Sequence, residues 1–199
     1  RIGKVNLQDT DHFVTSANIF SLAKELGFRQ PEEPFVWHDT YGGPGNEYNS
    51  LREWRALSLA APSLGLKVTG DPAVDRYPFS VKPDQPVTVE TLMATMRDCY
   101  QGSRFDLTEH VAFQVDGRKS PLARPCGPAE LFNLLKIKPE RALCTPASGY
   151  VFIAQLRDRL PDPIGNCLWF AYGPASTSCF VPVHAGVTKL PDTWNHPAN

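Results

Sequence analysis

Five cysteines are the most reactive side chains of this 199-residue sequence, and their spacing limits the chemistry they can do. They form no C-x-x-C pair of the kind that binds zinc or exchanges disulfides, so we predict no metal site. Cys99, Cys167 and Cys179 fall on apolar faces of predicted elements, where free cysteine packs as a small hydrophobic side chain. Cys126 and Cys144 lie in proline-rich loops and could bond to each other in an oxidising compartment.

Other polar side chains could in principle supply acid–base chemistry, but their spacing singles none of them out. Asp98, His110 and His184 are of the right types for proton transfer. Histidines at the ends of strands are more often hydrogen-bonded structural residues, so we assign them no catalytic role. Two carboxylate pairs are discounted because they resemble ordinary loop acids: Asp71 with Asp75, and Asp106 with Glu109.

Composition and charge exclude several classes of protein. The formal net charge is −1, the pI is about 6.6, and charges are interspersed, so no basic block is available to follow a nucleic-acid backbone. No apolar run approaches the roughly 20 residues that a membrane span needs. Hydrophobic residues make up 42% of the chain, enough for a globular core, and we treat residues 1–199 as a single region. Localisation stays open between the cytoplasm and a lysosomal or secretory compartment.

Two helices are predicted in the first third of the chain. Apolar residues spaced by three and four run from Ile19 to Leu26, and Gly27 stands where that helix would stop. A second helix is predicted to begin at the capping box Ser50-Leu-Arg-Glu53 and to end at Pro62. Arg52 and Arg55 would lie side by side on its flank. Residues 29–49 between the two helices are predicted to form a long loop.

Two further helices are predicted in the middle of the chain. The third begins at Thr88, where Val87 and Leu92 occupy the positions of a hydrophobic staple, and runs to about Gly102. A shorter helix is predicted over residues 128–135, with Pro128 in its first turn.

The last third of the sequence predicts an antiparallel meander. Aromatic and β-branched runs cover residues 150–155, 167–172 and 178–184 and are separated by turn residues. The middle run is apolar at both alternating sets of positions, so we expect both of its faces to be covered. A turn at Gly173 to Ser176 would place Cys179 opposite Phe170 and Cys167 opposite Pro182, so these two cysteines should not form a disulfide.

Three blocks of sequence carry a resemblance to a known family. They read YNSLREWRALSLAAPSLGL at residues 48–66, YPFSVKPDQPVTVETLMATMRDCYQGSRFDLT at 77–108, and YVFIAQLRDRLPDPIGNCLWFAYGPASTSCFVPVHAGVTKLP at 150–191. In this order they resemble the C-terminal half of the secernin-like cysteine dipeptidases, which are N-terminal-nucleophile hydrolases. The resemblance implies an α+β fold that is part of a four-layer αββα sandwich with mostly antiparallel sheets.

The resemblance also implies an activity and a missing part. Members of this superfamily hydrolyse amide bonds with a residue-one nucleophile whose own α-amino group acts as the base. Residue one here is Arg1, so we expect the nucleophilic cysteine in a missing N-terminal half and no catalytic residue in this chain. We therefore expect a C-terminal fragment or subunit of a proteolytically processed dipeptidase that acts on small peptides or related amides without a cofactor. Its expected partner is the N-terminal chain of the same precursor, and a homo-oligomer is left open.

Two alternatives remain open within this resemblance. The chain could be a catalytically inactive relative that serves as a structural or binding module in a larger assembly. Arg52 and Arg55 are the substrate-binding candidates that the resemblance implies, since a guanidinium group can bind the carboxylate of a small peptide with two hydrogen bonds. The competing interpretation is that they form ordinary salt bridges with Glu53, Asp75 or similar acids.

Overall fold

A three-stranded antiparallel sheet with a helix packed on one face organises the computed structural model of the protein. The structure describes residues 11, 14–29, 35, 40–41, 47–71, 74–78 and 80–194, with no side-chain description for residues 47 and 48. Most of the predicted loop over residues 29–49 therefore lies outside the described residues. The mixture of helices and antiparallel strands confirms the α+β prediction, whereas the four-layer sandwich stays a prediction.

The described elements follow one another in a simple order. The helices are α1 (Ile19–Glu25), α2 (Glu47–Ala60), α3 (Val89–Met96), α4 (Ala129–Leu134) and the single turn α5 (Asp162–Gly165). The strands are β1 (Gln114–Val115), β2 (Arg118–Lys119), β3 (Tyr150–Leu156), β4 (Asn166–Tyr172) and β5 (Val181–His184).

The first two helices match the predicted positions at their C-terminal ends. Gly27 has φ of +69° and its amide donates to the carbonyl of Lys24, which closes α1 as glycine commonly does. Helix α2 begins at Glu47, so Ser50 is a buried residue inside the helix and the predicted capping box is wrong. A capping serine needs an extended backbone, and here the preceding residues already form a helical turn.

Helix α3 is shorter than predicted, although its start is confirmed. Thr88 caps the helix, and its side chain and that of Thr91 accept each other's backbone amides. The helix ends at Met96, and Tyr100 takes a left-handed conformation with φ of 68°, which turns the chain back on itself. Cys99 and Tyr100 are nevertheless each only 1% exposed, because this reversal folds them into the core.

Helix α4 and a small hairpin form a separate satellite of the fold. The prediction of a helix near residues 128–135 is confirmed, with Pro128 as its N-cap. Strands β1 and β2 are joined by Asp116 and Gly117, both with positive φ, as a two-residue hairpin turn requires. Beneath them lies a small apolar cluster of Phe113, Phe132 and Ile137.

The predicted meander is confirmed, with strand order β3-β4-β5 and antiparallel pairing throughout. The helical turn α5 leads into β4, and a Cβ at Gly165 would lie 2.8 Å from the carbonyl oxygen of Arg157, so only glycine fits there. The predicted register between β4 and β5 is wrong by two residues, since Cys167 lies opposite His184 and Phe170 opposite Val181. The loop between these strands is longer than predicted because it contains a 3₁₀ turn at Ala175–Thr177.

The two faces of this sheet have different surroundings. On the inward face, Ile153, Cys167 and Ala171 are buried, and α3 packs against β3. The outward face carries large apolar side chains that remain exposed to a substantial degree, including Tyr150 at 61% and Tyr172 at 59%. The prediction that both faces of β4 are covered is therefore confirmed for the inward face, whereas on the outward face Leu168 and Phe170 are half-buried and Tyr172 is exposed.

Aromatic rings dominate the outward face. Tyr150 stacks on Phe170 with ring centroids 5.8 Å apart, and Phe170 makes an edge contact with Tyr172 at 4.7 Å. Trp194 lies over both Phe170 and Tyr172 and covers part of the face. We use the name aromatic face for this surface, formed by Tyr150, Phe152, Leu168, Phe170, Tyr172, Val181 and Val183.

Truncation of the core residue Leu51 is expected to destabilise the protein. Leu51 is 1% exposed and belongs to the main core cluster with Cys99 and Tyr100, so Leu51→Ala should lower the free energy of unfolding by about 3 kcal/mol. Leu134→Ala is the control, because Leu134 is 79% exposed and its truncation should change stability by less than about 0.5 kcal/mol. Chemical denaturation measures both values, and equal losses would contradict this description of the core.

Candidate substrate-binding site

Arg55 makes a two-pronged ion pair with Asp98. Its Nε lies 2.9 Å from Oδ1 of Asp98 and its Nη2 lies 2.6 Å from Oδ2. Nη2 also donates to the carbonyl oxygen of Gln101 at 2.7 Å. The two side chains are only 14% and 9% exposed, so this pair is largely removed from solvent. A salt bridge was one of the two interpretations of Arg55 that the sequence left open. Its partner in this salt bridge is Asp98, whereas Glu53 and Asp75 were the acids named from the sequence.

The carboxylate of Asp98 also organises the backbone beyond α3. Its Oδ1 accepts the amide of Tyr100 at 2.9 Å, which stabilises the reversal at the end of the helix. The carbonyl oxygen of Asp98 accepts the amide of Cys144 at 2.9 Å. Asp98 is therefore a structural residue that joins α2, α3 and the loop before β3. Its carboxylate contacts Arg55 and the amide of Tyr100, and neither of these is a histidine with which it could exchange a proton.

Arg52 lies on the same flank of α2 and has a different environment. Its Nη2 donates to Oδ1 of Asn49 at 2.7 Å, within the same helix. The charges of Arg52 and Arg55 both act on the buried Tyr100, whose burial is the main cause that raises its pKa. The structure thus brings the two candidate arginines together near Tyr100, and only Arg55 is held by the ion pair with Asp98.

The histidines considered from sequence take structural roles in different parts of the chain. Nδ1 of His110 accepts the amide of Ala112 at 3.1 Å and caps the 3₁₀ turn at Val111–Phe113. His184 lies in β5, and its Nδ1 is 3.1 Å from the carbonyl oxygen of Ile164. These contacts do not join the histidines to each other or to Asp98.

Two of the discounted carboxylates bind nearby backbone amides. Both oxygens of Asp75 are used, with the amide of Thr69 on Oδ1 and the amide of Gly70 on Oδ2, each at 2.8 Å. Burial alone would raise the pKa of Asp75, but these hydrogen bonds and the charge of Arg104 hold it below the usual value. Asp106 accepts the amides of Gly102 and Thr108 in a similar way.

The cysteines are arranged differently from the sequence prediction in two respects. All five thiols are free, and Cys179 is exposed, so its predicted packing role is wrong, whereas Cys99 and Cys167 are buried as predicted. Cys99, Cys126 and Cys144 come together around Ser176, although they are far apart in the sequence. No short motif could reveal this cluster, because it depends on long-range contacts between three loops.

The described part of the chain lacks two further features. There, no three or more His, Cys, Asp or Glu side chains are grouped so that they could hold a metal ion. None of the helices described above is both long enough and apolar enough to cross a bilayer. A cleft beside α1 carries few reactive groups and is given no role; it is lined by Val14, Thr15, Ser16, Asn18, Ile19, Leu22 and Tyr41.

Removal of Arg55 should cost much more stability than removal of Arg52. Arg55→Ala leaves the nearly buried Asp98 carboxylate without its cation, so the free energy of unfolding should fall by about 3 kcal/mol. Arg52→Ala, on the same helix flank, should cost less than about 1 kcal/mol. Denaturation of Arg52→Ala, Arg55→Ala and Asp98→Ala and of the Arg55→Ala/Asp98→Ala double variant measures these losses and the coupling of the pair. Additive losses in the double variant would show that the pair does not act as a unit.

Asp75 should contribute stability that depends on pH. Because its pKa is lower when folded than the usual 3.8, the contribution is complete well above the unfolded pKa, at about pH 5 and higher, and is lost as the pH falls through the folded value. Asp75→Asn should therefore be less stable than the parent protein at pH 7, with a gap that narrows below pH 4. Thermal unfolding between pH 2.5 and pH 7 tests this. The control is Asp158→Asn, because Asp158 is exposed. A gap that stays constant with pH would contradict the assignment.

Comparison with known proteins supports the resemblance seen in the three sequence blocks. The model of peptidase family C69 matches residues 1–199. Over 191 residues the chain is 25% identical to a probable dipeptidase of Salmonella dublin. The matched region makes up 94% of this chain and 38% of that relative. The chain thus spans about two fifths of the length of the curated relative it matches. No solved structure matches it significantly.

The match to the family covers every residue of the chain, and it agrees with the predicted relationship to cysteine dipeptidases. The chain belongs to peptidase family C69.

Proposed function

We propose that this chain is the C-terminal part of a cysteine dipeptidase that hydrolyses small peptides or related amides. The observation that carries the proposal is the family match over residues 1–199, together with the similarity to a probable dipeptidase that is much longer than this chain. The nucleophilic cysteine would belong to the part of the protein that precedes this chain.

The aromatic face supports the proposed N-terminal partner. Tyr150, Phe152 and Tyr172 are each more than half exposed on one side of an otherwise well-packed sheet. Exposed apolar patches of this kind commonly mark an interface, because burial of aromatic surface is strongly favourable. The N-terminal chain of the same precursor would cover this face, and a second sheet would be the natural covering layer for the predicted sandwich.

The proposed chemistry divides between the two parts of the protein. In the missing part, the cysteine thiol would lose its proton to its own α-amino group and attack the peptide carbonyl, forming a thioester as the amine leaves. Water would then hydrolyse the thioester. The part described here would hold the peptide's terminal carboxylate, for which Arg52 and Arg55 are the candidates. The guanidinium of Arg55 already binds Asp98, so the first variant to test is at Arg52.

The presence of the nucleophile is tested by denaturing mass spectrometry and N-terminal sequencing of the protein purified from its native source. We expect a cysteine at the start of the mature N-terminal part, and hydrolysis of unmodified dipeptides that stops when this cysteine is alkylated. A protein that contains no such cysteine and cleaves no dipeptide would instead support the inactive relative that serves as a structural or binding module.

The role of Arg52 is tested by comparison of two substrates. Arg52→Ala should raise KM for a dipeptide by about tenfold, the equivalent of one lost charged hydrogen bond, and leave KM for the matching dipeptide amide nearly unchanged. Arg118→Ala, which removes an exposed arginine on β2, is the control and should change neither value. Equal effects of Arg52→Ala on the acid and the amide would contradict carboxylate binding.

A further inference from the structure

Residues 188–194 follow the last strand of the sheet and lead back onto the aromatic face. We call this segment the strap. Strand β5 ends opposite the start of β4, whereas Trp194 lies over Phe170 and Tyr172, toward the end of β4. The chain between β5 and Trp194 therefore runs back along the middle strand of the sheet. Its last described side chain is placed on the outward face.

Aromatic contacts join the strap to the sheet. The ring centroid of Trp194 lies 6.3 Å from that of Phe170 and 5.5 Å from that of Tyr172, and the latter two rings meet edge to face. In the described part of the chain, no hydrogen bond links the strap to the sheet. The polar contacts of the strap are internal: the amide of Trp194 donates to the carbonyl oxygen of Pro191 at 2.9 Å, and Lys189 pairs with Asp192 at 3.4 Å.

The exposure of the strap shows how loosely it is held. Residues 188–193 are all exposed, and the side chains of Lys189 and Asp192 are 77% and 75% exposed. Trp194, by contrast, is half-buried against the sheet. The strap can therefore leave the sheet when the ring of Trp194 is released, without the loss of a hydrogen bond to any strand.

Trp194 occupies the layer in which a covering sheet would lie. Strand β4 is the middle strand, and Phe170 has Phe152 on one side and Val181 on the other. Two sheets that pack face to face lie about 10 Å apart, and the side chains of both faces fill the space between them. A ring centred 6.3 Å from that of Phe170 stands inside this space.

The strap is itself unsuited to burial beneath such a layer. A covering layer would take water away from its backbone, and an unpaired amide that loses water is costly. It would also remove the ion pair of Lys189 and Asp192 from solvent. Within the described residues, five backbone amides of the strap donate no hydrogen bond to the protein: those of Thr188, Lys189, Leu190, Asp192 and Thr193. The strap and a covering layer therefore compete for the same face.

We propose that the strap is a detachable cover, anchored by Trp194, that the N-terminal part of the same protein displaces when it packs on the aromatic face. The identity of the displacing partner rests on the proposed function, whereas the detachment of the strap does not. Before assembly, Trp194 shields Phe170 and Tyr172 from water and from non-specific association. In the assembled protein, apolar side chains of the second layer take its place.

Detachment is tested by limited trypsin digestion of the 199-residue chain under native conditions, followed by mass spectrometry. Cleavage after Lys189 is favoured when the strap leaves the sheet, because a protease binds its substrate in an extended form. Trp194→Ala should speed this cleavage about fivefold, since half-buried aromatic surface no longer holds the strap. Trp194→Phe should restore part of the difference. Equal rates in the parent protein and Trp194→Ala would overturn the assignment of Trp194 as the anchor.

Leu51→Ala is the matched control, because it weakens the core and leaves the strap unchanged. Local opening of the strap does not depend on global stability, so this variant should be cleaved after Lys189 at the rate of the parent protein while it remains folded. An acceleration as large as that in Trp194→Ala would show that the strap opens only when the whole fold does. That result would overturn the proposal.

Displacement is tested by fluorine NMR of protein that contains fluorotryptophan, prepared as the 199-residue chain and as the complete protein with its N-terminal part. The resonance that is lost in Trp194→Phe belongs to Trp194. In the complete protein we expect this resonance to move to the chemical shift of free fluorotryptophan. Trp169, whose indole donates to Gln155 on the inward face, is the internal control and should keep its shift.

Hydroxyl-radical labelling of Tyr150 in the same two samples reports separately whether the aromatic face is covered, because Tyr150 is 61% exposed. Protection of Tyr150 together with release of Trp194 supports displacement. Protection of Tyr150 with an unchanged Trp194 resonance would overturn displacement and leave the proposed partner intact. If Tyr150 stays reactive in the complete protein, both displacement and the proposed partner are wrong, and the trypsin rates still decide whether the strap detaches.

Discussion

The ion pair between Arg55 and Asp98 is the interaction on which the rest of the described fold depends. Through it α2 holds the segment from Asp98 to Tyr100, a backbone reversal whose three residues are all buried. The same segment receives the amide of Cys144, and the hydroxyl of Tyr100 donates to the carbonyl oxygen of Arg141. An ion pair removed from water costs desolvation energy, so its stabilising value depends on these additional hydrogen bonds.

The three cysteines around Ser176 lie beside this ion pair, because Cys99 directly follows Asp98 in the chain. Cys99 packs in the main core cluster, and its sulfur contacts the carbonyl oxygens of Arg97 and Cys144. The position of Cys99 is therefore set by Asp98 and Tyr100 on either side of it, with little freedom to move away. A polar cluster can be held at the border of an apolar core in this way, because each of its members is anchored by a different loop.

Much of the β structure could be predicted from the sequence because alternation of side chains is a local property. The three strands and their order were predicted, and the register of β5 was wrong by two residues. Since side chains alternate with a period of two, that shift leaves every residue of β5 on its predicted face. The error came from the 3₁₀ turn at Ala175–Thr177, which lengthens a loop without a clear signal in its composition.

The sites were less predictable, because they depend on contacts between distant residues. Asp98 was a candidate for proton transfer, and only the structure shows Arg55 beside it, 43 positions earlier in the chain. The capping box at Ser50 failed for a local reason, as the helix was already formed three residues before it. The grouping of Cys99, Cys126 and Cys144 around Ser176 needed four separate segments to be placed at once, which no periodic pattern encodes.

The strand order of the sheet has a consequence for how it can be extended. Strand β3 is an edge strand of seven residues with no proline, whereas the opposite edge, β5, has only four residues and contains Pro182, which lacks an amide donor. Prolines and short lengths at an edge block the addition of further strands. The sheet therefore has a direction of growth: among the described strands none pairs with the outer edge of β3, where a new strand could add, whereas addition beside β5 is obstructed.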